Sequence, residues 1–233
     1  MNPRVLWKAI NRNVLAILIL MLAAVVAGQV SADGVSPGTI GNGLDADTAH
    51  MPSLTFDAPW QGVNDDASFR SMAARSGVSG QGLRDLEAAR RATAPFHSID
   101  VAAAAGWPDD VTGCLDFPDG YMGHPPGAMG SHYRNLGLVT DGGALDPTRP
   151  ELVLYERQAD GSLRLLGVEY IIRESDRPRT DPPPVLFGRE IHFHPDFGVW
   201  GLHVWLWRHN PYGLFADVNP KVSCEHAELG SGG

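Results

Sequence analysis

Two β-type runs, Glu151–Arg157 and Leu163–Arg173, are separated by a turn containing Asp160-Gly161, and this pair constrains the fold more than any other stretch. Asp-Gly between alternating hydrophobic segments suits a hairpin, because both residues tolerate the positive φ that a tight turn needs. In the second run Leu166, Val168, Tyr170 and Ile172 recur at every second position and are read as one buried face. Leu202–Arg208 is a third strand, with Leu202, Val204 and Leu206 on one side and His203, Trp205 and Trp207 on the other. Upstream the pattern is helical. Leu83, Leu86 and Arg90 share a face, Glu87 and Arg91 form an i,i+4 pair, and Pro95 kinks this helix or opens a second one. Phe96, Ile99 and Ala103 continue to Gly106, which ends the run. These segments predict an α+β fold: short N-terminal helices packed on a mainly antiparallel β-sheet or partial barrel.

The chain ends carry different information. Arg4, Lys8 and Arg12 precede an uninterrupted apolar run from Val14 to Ala27, and Val30-Ser31-Ala32 follows with small residues. That order predicts a secretory signal peptide over 1–32, cleaved after Ala32, and a secreted or periplasmic protein. Fourteen helical residues rise about 21 Å, short of a hydrocarbon core of about 30 Å, so no stable membrane insertion is expected after processing. An uncleaved anchor is the alternative. Residues 33–80 are rich in Gly, Asp, Ser and Pro without sustained periodicity, and are expected to be a flexible extension. A single α+β domain is expected over 81–224, with a disordered tail over 225–233.

Charge and motifs narrow the function. The chain has 18 Lys+Arg against 27 Asp+Glu, a net charge of −9. Residues 1–32 hold three of the basic residues and no acid, so a processed chain would carry −12. Such a balance argues against nucleic acid as a partner. Lys221 is the only lysine beyond Lys8, and no Gly-rich loop precedes it, so lysine and phosphate-loop chemistry are not expected. The sequence has no His-Glu-x-x-His, no Gly-x-Ser-x-Gly and no dinucleotide fingerprint, hence no nucleotide cofactor is expected. In an exported chain the two cysteines, Cys114 and Cys224, are expected to pair around the β region. The alternative is a nucleophile or metal ligand.

Nine histidines stand against one mature lysine. His124 and His132 lie with Met122 and Met129 on a Gly/Pro-rich stretch, and Ile191-His192-Phe193-His194-Pro195 contains a His-x-His pair. Residues i and i+2 of a strand face the same way, so both imidazoles can reach one ion. His203 follows nine residues later, and Glu169 lies between Gly167 and Ile171, out of place as surface decoration. The favoured metal ligands are His132, His192, His194 and His203, joined by His124, with Glu169 as ligand or general base in a pocket walled by Trp205 and Trp207. Imidazole suits zinc or copper, and thioethers would favour copper. The same residues also fit solvated strand histidines, a satisfied core histidine at His203 and a Glu169–Arg pair. His50 and His226 fall in the flexible ends, His97 on a helix, and His209 about 20 Å along a strand from His203.

The segments Met129-Gly130-Ser131-His132-Tyr133, Leu145-Asp146-Pro147-Thr148-Arg149-Pro150-Glu151, Gly167-Val168-Glu169-Tyr170, Leu202–Pro211 and Asn219-Pro220-Lys221-Val222-Ser223-Cys224 resemble an uncharacterised group of secreted bacterial proteins. The resemblance spans roughly 85–224 and implies one structural unit without bringing an activity. His-x-His is also similar to cupin metal sites, but the glycine and proline spacing of a cupin motif is absent. Three functions therefore stand open: a secreted single-domain metalloprotein with a mononuclear His-rich site, enzymatic or not; a non-catalytic copper or zinc binder; and an exported ligand-binding or structural domain without metal. Partners would be a small molecule or a metal ion.

Overall fold

In the computed structural model, which describes residues 65–227, the expected hairpin forms the middle of the sheet. Strands β4 (Leu152–Arg157) and β5 (Leu163–Arg173) pair antiparallel from Leu152↔Glu169 to Arg157↔Leu163. Gly161 takes φ +82°, and Gln158 N–H donates to Ser162 O across the turn. Before these strands come β1 (Asp109–Asp110), β2 (Leu115–Phe117) and β3 (Gly127–Arg134). After them come the short pair β6 (Val185–Leu186) and β7 (Arg189–Glu190), then β8 (His192–His194) and β9 (Val199–Val204). The main sheet runs β1-β3-β4-β5-β9-β8, with β2 also paired to β3, and every pairing is antiparallel. It stays open. The fold is α+β as expected, a mainly antiparallel sheet that is not closed into a barrel, because β8 and β1 do not pair.

The helices cover one face of the sheet. They are α1 (Asp66–Arg75), α2 (Gly80–Thr93), a 3₁₀ turn (Ala94–His97) opened by Pro95, and α3 (Ile99–Ala104). A four-residue α4 (Leu136–Val139) follows β3. Phe69, Met72, Leu86, Phe96 and Ala102 pack with Val153, Tyr155, Val168, Tyr170, Ile172, Leu202 and Val204 into the main core. Polar tethers fix the helical layer: Tyr155 O–H donates to Phe96 O at 2.7 Å, and Trp207 Nε1–H to Thr93 Oγ1 at 3.1 Å.

Two expectations change. The flexible extension was expected to reach residue 80, yet α1 lies inside it. Asp65 caps this helix through Ser68 N–H, and Phe69, Met72 and Ala73, an i, i+3, i+4 strip, are buried. Single hydrophobes among Gly and Asp conceal a one-sided helix whose stability comes from packing. Strict alternation in β5 also fails at Leu166. A bulge between Leu154 and Tyr155 lets Leu165 join the main core while Leu166 packs with Ala128, Leu154, Trp205 and Val222 on the opposite face.

The expected cysteine pair is formed: Cys114 and Cys224 are bridged, with Cα atoms 5.6 Å apart and a sequence separation of 110. A disulfide fits an oxidising compartment. No helix among the described residues is long and apolar enough to cross a membrane. The signal peptide over 1–32, the extension as far as residue 64 and the end of the tail over 228–233 lie outside the described residues.

Candidate metal centre

Register places the candidate ligands. Glu169 of β5 stands directly opposite His203 of β9, and His132 of β3 is aligned with Leu154 of β4. On β8, His192 and His194 align with Gly201 and Val199, so both belong to that face. This is the face away from the helices. Apolar groups flank the polar cluster there: Leu152, Ile171 and Val199 in one group, Leu154, Leu166 and Trp205 in the other. Gly201 leaves the room the cluster needs. A Cβ on it would lie 2.9 Å from His194 Cδ2 and 3.0 Å from Glu169 Oε1.

His132, Glu169 and His203 are all buried and offer one donor atom each within 4.8 Å of one another. His132 Nε2 lies 3.4 Å from His203 Nε2 and 3.5 Å from Glu169 Oε2. Glu169 Oε1 is 3.8 Å from His203 Nδ1. Contacts of 3.5 and 3.8 Å are too long to satisfy a buried carboxylate by hydrogen bonding alone. The 3.4 and 3.5 Å separations around His132 Nε2 match something else: donors bonded tetrahedrally to one ion at about 2.1 Å stand about 3.4 Å apart.

Proton placement at His132 is fixed by Thr112. The single Thr112 hydroxyl proton goes to Gly113 O at 2.7 Å, so the 3.0 Å contact with His132 requires Nδ1–H as donor. His132 N–H donates to the same oxygen at 3.1 Å. Nε2 of His132 therefore carries a bare lone pair aimed at His203. Burial, reinforced by His203, holds the His132 pKa well below the ordinary imidazole range, so the ring is neutral. Burial also opposes protonation of His203, but Glu169 and Asp217 outweigh it and raise its pKa. With no metal bound, a proton on His203 Nε2 would be donated to His132 Nε2. A metal ion would take that proton's place.

Asp217 completes the cluster from the C-terminal segment. Its Oδ1 is 3.6 Å from His203 Nδ1 and 3.8 Å from His194 Nε2, and its Oδ2 is 4.0 Å from His124 Nε2. Burial pushes the Asp217 carboxyl up, yet His203, His194 and His124 together hold it below the ordinary carboxylate value. His203 Nδ1 has no hydrogen-bond partner closer than this carboxylate. His194 is engaged at both nitrogens: Nε2–H donates to Gly201 O at 3.3 Å, so Nδ1 accepts from Tyr121 O–H at 3.2 Å. Burial lowers the His194 pKa against the pull of Asp217 and Glu169. Burial raises the Tyr121 phenol, with Asp196, Asp217 and Glu169 adding to the rise, so it stays a donor. Beside this network lies a cavity of about 740 Å³, whose walls include Asp217, His124 and His192.

Comparison of the chain with protein-family models, curated proteins and solved structures finds no match. The site is read from its own geometry.

Of the expected ligands, His132, His203 and Glu169 converge. His194 joins through Asp217, with both ring nitrogens occupied by Gly201 and Tyr121. His192 is exposed on the edge strand, and His124 is partly exposed and touches only the outer oxygen of Asp217. Met122 is exposed and Met129 buried. The two tryptophans do not share a wall. Trp205 is buried beside His203, rings nearly parallel with centroids 6.3 Å apart, and donates from Nε1 to Ala216 O. Trp207 packs in the helical core under Arg90, because β9 ends at Val204 and the face alternation stops there. Thr112, Tyr121 and Asp217 were not singled out from sequence. Asp217 had a signal: like Glu169, it is an acid set among apolar residues, here Phe215, Ala216 and Val218.

Proposed function

We propose that the protein is an exported metalloprotein in which His132, His203 and Glu169 hold one divalent transition-metal ion, zinc in preference to copper. The observation that carries this reading is the 3.4 and 3.5 Å spacing of the buried His132, His203 and Glu169 donor atoms. Two nitrogens and one carboxylate form a set common in catalytic sites, where positions are left for water or substrate. Such an ion supplies Lewis acidity toward an oxygen ligand. The chain's own groups hold the ligands: Thr112 fixes the His132 tautomer, and Asp217 lies where it can accept from His203 Nδ1 once Nε2 is bound. Three protein donors leave a position for a further ligand, and Asp217, which contacts His203, lines a cavity; together these favour an enzyme over a closed structural ion. The disulfide supports an oxidising compartment, in line with the basic and apolar N-terminal sequence.

Elemental analysis of untagged protein, followed by zinc and copper titration of the chelator-treated sample, tests the assignment. One equivalent is expected for the wild type, with affinity at least about a hundredfold weaker in His132→Ala, His203→Ala and Glu169→Gln. His192→Ala, altered on the exposed edge strand, should bind as the wild type does. A wild type that arrives metal-free and takes up neither ion removes the proposal.

A further inference from the structure

The cavity beside Asp217 has a charge opposite to that of the chain. Among its lining residues two arginines, Arg75 and Arg189, stand against the single carboxylate of Asp217. That carboxylate faces His203 and His194. The Arg189 guanidinium reaches the chain segment next to Arg75. Arg75 closes α1, and Arg189 of β7 donates to the carbonyl of the next residue, Ser76, at 3.1 Å. Neither guanidinium forms an ion pair with a carboxylate among the described residues. Arg75 bonds the Ser71 hydroxyl, and Arg189 lies 5.2 Å over the Phe215 ring. The field extends past the two side chains: beyond burial, Lys221, Arg75 and Arg208 all hold the His209 pKa down. Met72, Leu214 and Phe215 supply apolar wall. The volume of about 740 Å³ is that of a small-molecule site.

We propose that this cavity binds a small organic acid, its carboxylate held by Arg75 and Arg189 and its apolar body lying against Leu214 and Phe215. Two guanidiniums without a carboxylate counter-ion among the described residues present the fork of N–H donors that a carboxylate fits. In a chain with 27 acidic and 18 basic residues, two arginines on the wall of one cavity select anions from solution. The pocket stands on its own residues; that its occupant is the substrate of the neighbouring centre rests on the metal assignment above. Asp217 joins the two, since it both lines the cavity and contacts His203.

Benzoate, its neutral isostere benzamide and inorganic phosphate serve as probes. Each is titrated by saturation-transfer NMR into wild type, Arg75→Gln and Arg189→Gln, chelator-treated and zinc-loaded, with melting curves confirming that each variant is folded. Benzoate should bind saturably in both states of the wild type and about tenfold or more weaker in the arginine variants. Benzamide should not bind, and phosphate should bind more weakly than benzoate. Zinc uptake should be unchanged by either arginine substitution. If Arg189→Gln unfolds through loss of the Ser76 contact, Arg75→Gln decides alone. Absent saturable benzoate binding, equal binding of benzamide, or unchanged affinity in the folded arginine variants overturns the proposal. Phosphate binding as tightly as benzoate overturns the organic-acid class in favour of a bare anion. A wild type that binds benzoate but no zinc refutes the metal centre and leaves the acid pocket standing.

Discussion

Replacing Gly201 with alanine perturbs the centre by a single methyl group. The residue sits in β9 without a positive φ, so the backbone accepts alanine. The new Cβ would meet His194 Cδ2 at 2.9 Å, Glu169 Oε1 at 3.0 Å and His194 Nε2 at 3.1 Å. Each is well inside the roughly 3.5–4.0 Å of comfortable packing. All three atoms belong to side-chain ends, so the ligand shell gives way before the sheet does. Overpacking of this size costs about 1–3 kcal/mol, and removing a strand glycine returns about 0.5–1 kcal/mol. The net stability loss is therefore small, on the order of 1 kcal/mol. The metal site fares worse: a shift of a few tenths of an ångström in Glu169 should weaken zinc binding about 10- to 100-fold. Urea unfolding of the chelator-treated variant and zinc calorimetry give the two numbers separately. Gly201→Ala with wild-type zinc affinity would show that Glu169 and His194 need not stand where they do, and the packing argument would be wrong.

Other consequences are equally open to measurement. Burial pushes the Glu151 carboxyl up to about 8, against the pull of Ile171 N–H and with Asp141 and Glu169 adding to the rise, so it is neutral in the fold at neutral pH. Its contribution is full below the unfolded carboxylate value and is lost as pH rises to about 8; at roughly 1.4 kcal/mol per unit the loss is on the order of 5 kcal/mol. Glu151→Gln should flatten the wild-type pH–stability slope across that window, and an unchanged slope would contradict it. Protonation of His203, favoured by Glu169 and Asp217, competes with zinc, so affinity should fall as pH drops below that residue's raised pKa, where about one proton is released per ion. Calorimetry in buffers of different ionisation enthalpy that finds no release would exclude it. Replacing both Cys114 and Cys224 with serine frees a loop of 110 residues, for which chain entropy gives ~4.7 kcal/mol. Matching urea midpoints for the bridged and serine proteins would contradict that figure.

Local pattern made the β4–β5 hairpin, the Glu169 and His203 positions and the His-x-His alignment legible in the sequence, because a period of two fixes which face each residue takes. It did not distinguish His194 from His192. They share a face, and only the strand edge and the loop bearing Tyr121 decide which is buried. Trp207 was misassigned for a related reason: alternation holds only while the strand lasts, and β9 stops at Val204. Thr112 and Asp217 reach the cluster from loops 20 residues before His132 and 14 after His203, where no periodicity reports spatial proximity.

The disulfide gives the chain a topology as well as stability. Residues 114–224 form a closed covalent ring that contains His132, Glu169, His203 and Asp217, while α1, α2 and α3 lie outside it. The ring includes an exposed stretch from Pro178 to Pro183. One cut there by a protease turns the ring into two arms still joined through Cys114 and Cys224, and no ligand can diffuse away from the others. The same cut in a reduced molecule releases the arm bearing His203 and Asp217. An oxidising surrounding thus makes the constellation tolerant of a nick that would otherwise divide it.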